Sequence, residues 1–112
     1  MFTDTATILR PGVTTLRSGD EVPDYSTATQ ITIVRILMQP AEQSTDVTAS
    51  RDAQVSRWRM FSEPGTAPDI RKGDRLLYNN ETLDLVGDAR VFPDHLLGGV
   101  HHLEALWKRA TG

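Results

Sequence analysis

IRKGDRLLYNNETLDLVGD, the stretch from Ile70 to Asp88, decides the fold class because it reads as a β-hairpin. Lys72-Gly73-Asp74 is a turn signal that opens a short apolar run, Asn79-Asn80 tolerates the positive φ a tight hairpin needs, and Gly87-Asp88 closes the second strand. With Tyr78 opposite Leu83, Leu76 falls opposite Leu85 and all of these share one face, leaving Arg75, Leu77, Asp84 and Val86 on the other. One face is core and the other mixed. An isolated hairpin is marginal in water, so the remaining chain must cover the apolar face with further strands or helices.

Upstream, Thr29 to Met38 (TQITIVRILM) is the most β-prone window of the chain. Ile31, Ile33 and Leu37 share one face, and Val34, Ile36 and Met38 the other. Both faces are apolar, which predicts a central strand or one sandwiched between layers. Order resumes at Ala53 to Ser62, where Trp58 and Met60 lie on one face and Val55, Arg57, Arg59 and Phe61 on the other, before Glu63-Pro64-Gly65 ends the strand. Pairing these two strands gives a long hairpin whose tip is Pro40 to Asp52 (PAEQSTDVTASRD). Only Val47 there is a sizeable apolar residue, so the segment cannot contribute a core. Loops of such length are usually disordered or functional, which makes Glu42, Gln43, Ser44, Thr45, Asp46, Val47, Arg51 and Asp52 the candidate working residues.

The ends of the chain carry weaker signals. Ile8-Leu9-Arg10 predicts a short first strand that runs into a turn at Pro11-Gly12, and Val13 to Asp24 reads mainly as a connecting loop, with Tyr25 anchoring it to the core. Ala89 to Phe92 reads as a short strand ended by Pro93, and Leu96-Leu97-Gly98-Gly99 as a bend. In Val100 to Ala110, Leu103, Ala105 and Trp107 alternate as in a strand, yet Val100, Leu103 and Trp107 also fit a helical face, and the pattern leaves the choice open. Trp58 and Trp107 would fill a small barrel if buried, or mark an interface if exposed.

A chain of 112 residues is one domain's worth and can bury a modest core. With no cysteine there is no disulfide, no thiolate metal site and no Cys nucleophile. The formal net charge of -3, with Arg and Lys scattered among the acids, gives no basic stripe for sequence-independent DNA binding. The first thirty residues have no basic start followed by an apolar run, and no window is long enough to span a membrane. A soluble, unexported protein is therefore expected.

His95, His101 and His102 lie near Asp94 and Glu104, the residue types of a zinc or iron site. Adjacent His101 and His102 point to opposite faces of a regular strand and could not both reach one ion, whereas His102 and Glu104 could. Solvated or hydrogen-bonded histidines are the ordinary reading, and neither metal nor cofactor is expected. No Gly-x-Ser-x-Gly elbow is present, Ser18-Gly19 is a turn, and Leu97-Gly98-Gly99-Val100 lacks the surroundings of a phosphate cradle. Asp20 with Glu21, and Asp84 with Asp88, sit in turn or exposed contexts that suit solvation better than acid and base work. No enzyme is expected.

Across nearly its whole length the chain resembles the head-to-tail stopper, or head-tail joining, proteins of long-tailed bacteriophages, especially those of actinobacteria. The resemblance is carried by Leu9-Arg10-Pro11-Gly12, Val22-Pro23-Asp24-Tyr25, and Met38-Gln39-Pro40 with the polar loop after it. Further on it is carried by Asp69-Ile70, Gly73-Asp74-Arg75, Leu83 to Gly87, and Pro93-Asp94 through Leu97-Gly98-Gly99-Val100-His101-His102-Leu103-Glu104. Tyr25 stands where that family would have Trp, and Asn80-Glu81 where it would have a Gly-containing turn.

The resemblance implies a single small antiparallel β-barrel or sandwich of about six strands over residues 1–112, with a long loop between two central strands. It favours strand over helix for Val100 to Arg109. It implies a homo-oligomeric ring in the virion neck, assembled in the host cytoplasm between the portal-adaptor complex and a tail terminator or tail tube protein. Packaged DNA would pass through without sequence recognition, with no membrane involved, and Pro40 to Asp52 would project into the channel. Other readings are a tail terminator or another neck ring, a metal-dependent β-barrel enzyme built on His95, His102 and Glu104, and a monomeric β-barrel binding module.

Overall fold

A computed structural model describes residues 2–41 and 57–110. Six antiparallel strands follow in order: β1 (Asp4–Thr15), β2 (Glu21–Pro40), β3 (Arg57–Ser62), β4 (Arg75–Tyr78), β5 (Glu81–Pro93) and β6 (Val100–Arg109). They form one sheet that closes on itself as a barrel in the order β1-β2-β3-β6-β5-β4. The short β4 makes the closure, pairing β5 on one side and β1 on the other through Thr7 with Leu77, Ile8 with Leu76 and Leu9 with Arg75. Val100 to Arg109 is a strand, as the resemblance implies. No helix among the described residues is long and apolar enough to cross a membrane.

Every strand contributes to the interior. Ala6 and Ile8, Ile33, Ile36 and Met38, Met60, Leu76, Leu83, and Leu103, Ala105 and Trp107 form one buried cluster. Each large side chain buried there contributes about 1.5–3 kcal/mol relative to exposure. Trp107 is fully buried, and Trp58, directly opposite it, is half-buried against the same cluster with its ring edge-on to Tyr78 at 5.3 Å. Both tryptophans thus belong to the core side of the wall. Ser62, also buried, donates through Oγ to the Thr66 carbonyl at 2.6 Å and accepts from the Leu103 amide at 2.8 Å. Its hydroxyl thereby joins the end of β3 to β6.

The decisive hairpin forms with its expected inward face but a different register. Leu76 pairs with Leu83 and Tyr78 with Glu81, not Tyr78 with Leu83. Asn79 and Asn80, at φ 50 and 63, make a two-residue turn where the earlier pairing needed a longer loop. The slip is an even number of residues, so Leu76, Tyr78, Leu83 and Leu85 still face the core, and Arg75 meets Asp84 at 2.9 Å on the outside.

Bulges account for the other differences. Gly87-Asp88 does not end its strand: β5 continues to Pro93, with a register shift between Val86 and Arg90. Ala89 to Phe92 is thus part of β5. Pro11-Gly12 is not a turn either, because β1 runs on to Thr15 with a shift between Arg10 and Gly12, and Gly12 packs so closely on Thr27 that a Cβ would lie 2.5 Å from its Oγ1. The expected loop over Val13 to Asp24 is instead the end of a strand pair, with Val13 opposite Pro23 and Thr15 opposite Glu21. Its turn is closed by the Leu16 amide on the Asp20 carbonyl and by Gly19 at φ +90.

In β2 an extra residue at Val34-Arg35, with Arg35 at φ 56, shifts the register against β1. Ile33 faces inward before the bulge, and Ile36 and Met38 face inward after it, while Val34 is exposed. The apolar residues on both parities therefore reflect one strand that changes face, not a strand between layers. The Asp4 carboxylate accepts from the Met38 amide at 2.9 Å just beyond the bulge.

Candidate functional site

The sequence analysis expects a working loop between β2 and β3, and the structure describes the strand ends on either side of that segment. Leu37 pairs with Phe61, Met38 with Met60 and Pro40 with Trp58, and the Ala41 amide donates to the Arg57 carbonyl at 3.1 Å. Both stems thus emerge side by side at one end of the barrel. Glu42, Gln43, Ser44, Thr45, Asp46, Val47, Arg51 and Asp52 lie outside the described residues. Beside the stems the outer wall is basic: Arg57 sits directly opposite Lys108, with Arg59 two positions further along β3. Like charges so placed disfavour each other, and Lys108 finds an acid on its other side in Asp84 of β5.

Further along the same wall, beside the β5 bulge, a shallow depression of about 620 Å³ is lined by Arg59, Arg90, Asp88 and Glu104, with Phe92 and Leu106 among its apolar lining. Both signs of charge are represented there, so the depression offers no single-sign field for a charged ligand.

The histidines fall into two environments. His95 is exposed in the turn after β5, whereas His101 and His102 open β6. His102 Nε2 lies 2.7 Å from Glu104 Oε2, its ring stacks on Phe92 at 4.9 Å, and its Nδ1 is 2.7 Å from Nδ1 of His101. That last contact overturns the expectation that neighbouring histidines point apart. Phe92 pairs with His102 but Pro93 pairs with Val100, so His101 is an extra, bulged residue and its ring swings to its neighbour's side. Among the described residues no group of three or more His, Asp or Glu side chains is arranged to hold a metal ion. The arrangement is a hydrogen-bonded rail along the edge of β6.

Two hairpin ends project apolar side chains into solvent. At the β1–β2 end Val13 is 65% and Leu16 46% exposed, and at the β5–β6 end Leu96 is 94% and Leu97 88% exposed. The second tip is tightly built. Asp94 Oδ1 accepts from the Leu96 and Leu97 amides, both at 3.0 Å, and the Asp94 backbone exchanges hydrogen bonds with Gly98 and Gly99, both at 2.9 Å. The Leu97 and Leu96 amides hold the Asp94 carboxyl below the usual carboxylate range. The sequence pattern reads this tip only as a bend. Its one signal was a pair of adjacent leucines inside turn residues, where polar side chains are the rule.

No protein-family model matches the chain, and no curated protein sequence matches it. Among solved structures, the solution structure of protein SF1141 from Shigella flexneri 2a is similar, with a TM-score of 0.60 and 16% identity over 98% of this chain and 94% of that one. A likeness at that identity extends to the fold alone, and it spans the closed six-stranded sheet described above.

Proposed function

We propose that the chain is a non-enzymatic structural protein of the phage neck, a head-to-tail stopper that assembles as a ring, joins the portal-adaptor complex to the tail and closes the channel to retain packaged DNA. The observation that carries this reading is the distribution of apolar surface. The barrel interior is filled by side chains from all six strands, while Leu96 and Leu97 stand almost fully in water on a hydrogen-bonded tip. A scaffold of this kind meets its partners through projecting elements, and exposed apolar tips suit contacts between subunits. The ordered run of short sequence motifs from Leu9 to Glu104 supplies the phage context.

The ring's neighbours in this reading are the adaptor on the head side and a tail terminator or tail tube protein on the other. The segment 42–52 supplies the closure; Pro40, expected to begin it, is paired in β2 with Trp58. Copies arranged around a ring bring their loops toward one axis. Glu42, Asp46 and Asp52 outnumber Arg51, so the loop repels a phosphate backbone, and a plug made of loops fits better than a collar gripping DNA. Deleting 42–52 should leave rings on assembled heads that then lose their genome, measured as DNA retained in purified heads. Heads that keep normal DNA content would overturn the closure role. A tail terminator shares the barrel but contacts the tail tube in place of the adaptor, so binding of the purified chain to the portal-adaptor complex separates the two.

A further inference from the structure

The histidine rail on β6 ends in a contact whose geometry fixes where its protons sit. Glu104 Oε2 accepts from His102 Nε2 at 2.7 Å, so Nε2 carries the hydrogen and, in the neutral ring, Nδ1 keeps its lone pair. His101 Nδ1 lies 2.7 Å from that lone pair and donates to it. The two ring centroids are 4.9 Å apart, which leaves nearly two full ring radii beyond the distance between the nitrogens. The nitrogens therefore meet head-on. An ion held at about 2.0–2.1 Å from each of them does not fit on that line, whereas one proton does. Phe92, stacked on His102 with the planes 7° apart, keeps the accepting ring in place.

We infer that this pair is a proton-operated latch at the root of the β5–β6 hairpin: one proton between the two Nδ1 atoms holds His101 on His102, and a proton on each breaks the contact and releases His101 toward Asp94. The first extra proton is accommodated at His101 Nε2, which has no part in the contact, and the latch stays shut. The second has only His102 Nδ1 to go to, where a hydrogen already points, and two N–H groups do not share 2.7 Å. Histidine changes charge between about pH 5 and 8, so the latch works in that interval. The open form holds one proton more than the shut form, so the ratio of shut to open falls by up to about tenfold for each unit by which the pH drops. Carboxylates receive both rings. Glu104 faces His102, and Asp94, held low first by the Leu97 and Leu96 amides and further by His101, faces His101. Arg90 of β5 sits opposite Glu104, exposed His95 shares the turn with Asp94, and the groove residues from Phe2 through β2 and β3 to Pro64 bring no charge. The His101 carbonyl accepts from the Gly65 amide at 2.7 Å, in the turn that also carries Glu63, so opening the latch loosens the connection that follows β3. The inference stands on the bulge at His101 and is independent of the ring reading.

Nitrogen-15 NMR of the full-length protein reads the shared proton directly. At about pH 8 a coupling through the hydrogen bond should join Nδ1 of His101 to Nδ1 of His102, with His102 in its Nε2–H tautomer, and at about pH 5 the coupling should be gone. Over the same interval the Gly65 amide should lose protection by about tenfold or more. His101→Phe keeps an aromatic ring but has no nitrogen to share, so its Gly65 protection should not change with pH. Absence of the coupling at the upper pH, its survival at the lower, or an equal loss of Gly65 protection in His101→Phe overturns the latch. The coupling needs no variant and decides alone where His101→Phe does not fold.

Discussion

Asp74 is only 2% exposed, and its carboxylate takes three hydrogen bonds from two residues. Its carboxylate accepts from Arg10 Nε at 3.2 Å, from Arg10 Nη2 at 2.9 Å and from the Arg71 amide at 2.8 Å. The hydrogen bond to Asp74 raises the Arg10 pKa above its ordinary value against the opposing effect of burial, so the guanidinium stays charged. The same turn is clamped from β2, where the Tyr25 hydroxyl donates to the Gly73 carbonyl at 2.5 Å and the Arg75 guanidinium lies 3.9 Å above the Tyr25 ring. Breaking a buried pair typically costs about 3–5 kcal/mol, and the low end applies here because Arg10 is 20% exposed and keeps Asp69, its carbonyl at 2.8 Å and its carboxylate at 3.5 Å. Asp74→Ala should therefore lower the unfolding free energy by about 3 kcal/mol, read from the urea midpoint. A loss below about 1 kcal/mol would mean that the pair is worth no more than an exposed one. Gly73-Asp74 is legible in the sequence as a turn, and Tyr25 as an anchor. The role of Asp74 inside that turn was not, because its arginine is 64 residues away in the chain and no local pattern joins them.

At the scale of elements, period-two alternation located the strands, and bulges decided which residues face inward. Ile33 and Leu37 share a parity in sequence, yet Ile33 is buried and Leu37 is on the outer wall, because Arg35 intervenes at φ 56. Arginine carries none of the turn chemistry of Gly or Asn, so this position gave no warning. A left-handed residue with a Cβ is strained, and glycine relieves the strain at some cost in backbone entropy. We expect Arg35→Gly to hold or raise stability by up to about 1 kcal/mol and Arg35→Val to lower it by about 1–2 kcal/mol. Thermal unfolding of the pair checks this, and equal effects would count against a left-handed bulge. The β5–β6 tip makes a prediction about pH. Asp94 has a folded pKa below its unfolded value, so its contribution is complete above the ordinary carboxyl pKa and is lost as pH falls through the lowered folded value. The Asp94 carboxyl should titrate below the usual carboxylate range, and amide protection at Leu96 and Leu97 should begin to fall as pH drops below the ordinary carboxyl value and reach its floor at the lowered one. An ordinary midpoint would show that the tip is not held by this side chain.

The whole molecule is a barrel closed by a four-residue strand, and closure was the part of the fold that strand patterns alone did not dictate. Barrel and sandwich present the same alternation; what separates them is β4 reaching β1 as well as β5, a pairing between distant segments. Trp107 of β6 and Met60 of β3, on the two strands that pair with each other elsewhere in the ring, are both 0% exposed in the interior. Met60→Ala should lower the unfolding free energy by about 2–5 kcal/mol, and a change under about 1 kcal/mol would mean that the barrel interior tolerates a cavity at this layer. The candidate loop was legible as a polar interruption between two strands, and its stems at Ala41 and Arg57 are paired as a hairpin requires. The exposed leucine tip was not legible as a surface, since exposure depends on what the finished barrel leaves uncovered. We propose that this barrel works as a ring in the phage neck. Electron microscopy of tailed particles carrying a bulky label fused after residue 112 should show label density encircling the channel between head and tail. Intact particles with no label at the neck, and no binding of the chain to the portal-adaptor complex, would overturn the neck role.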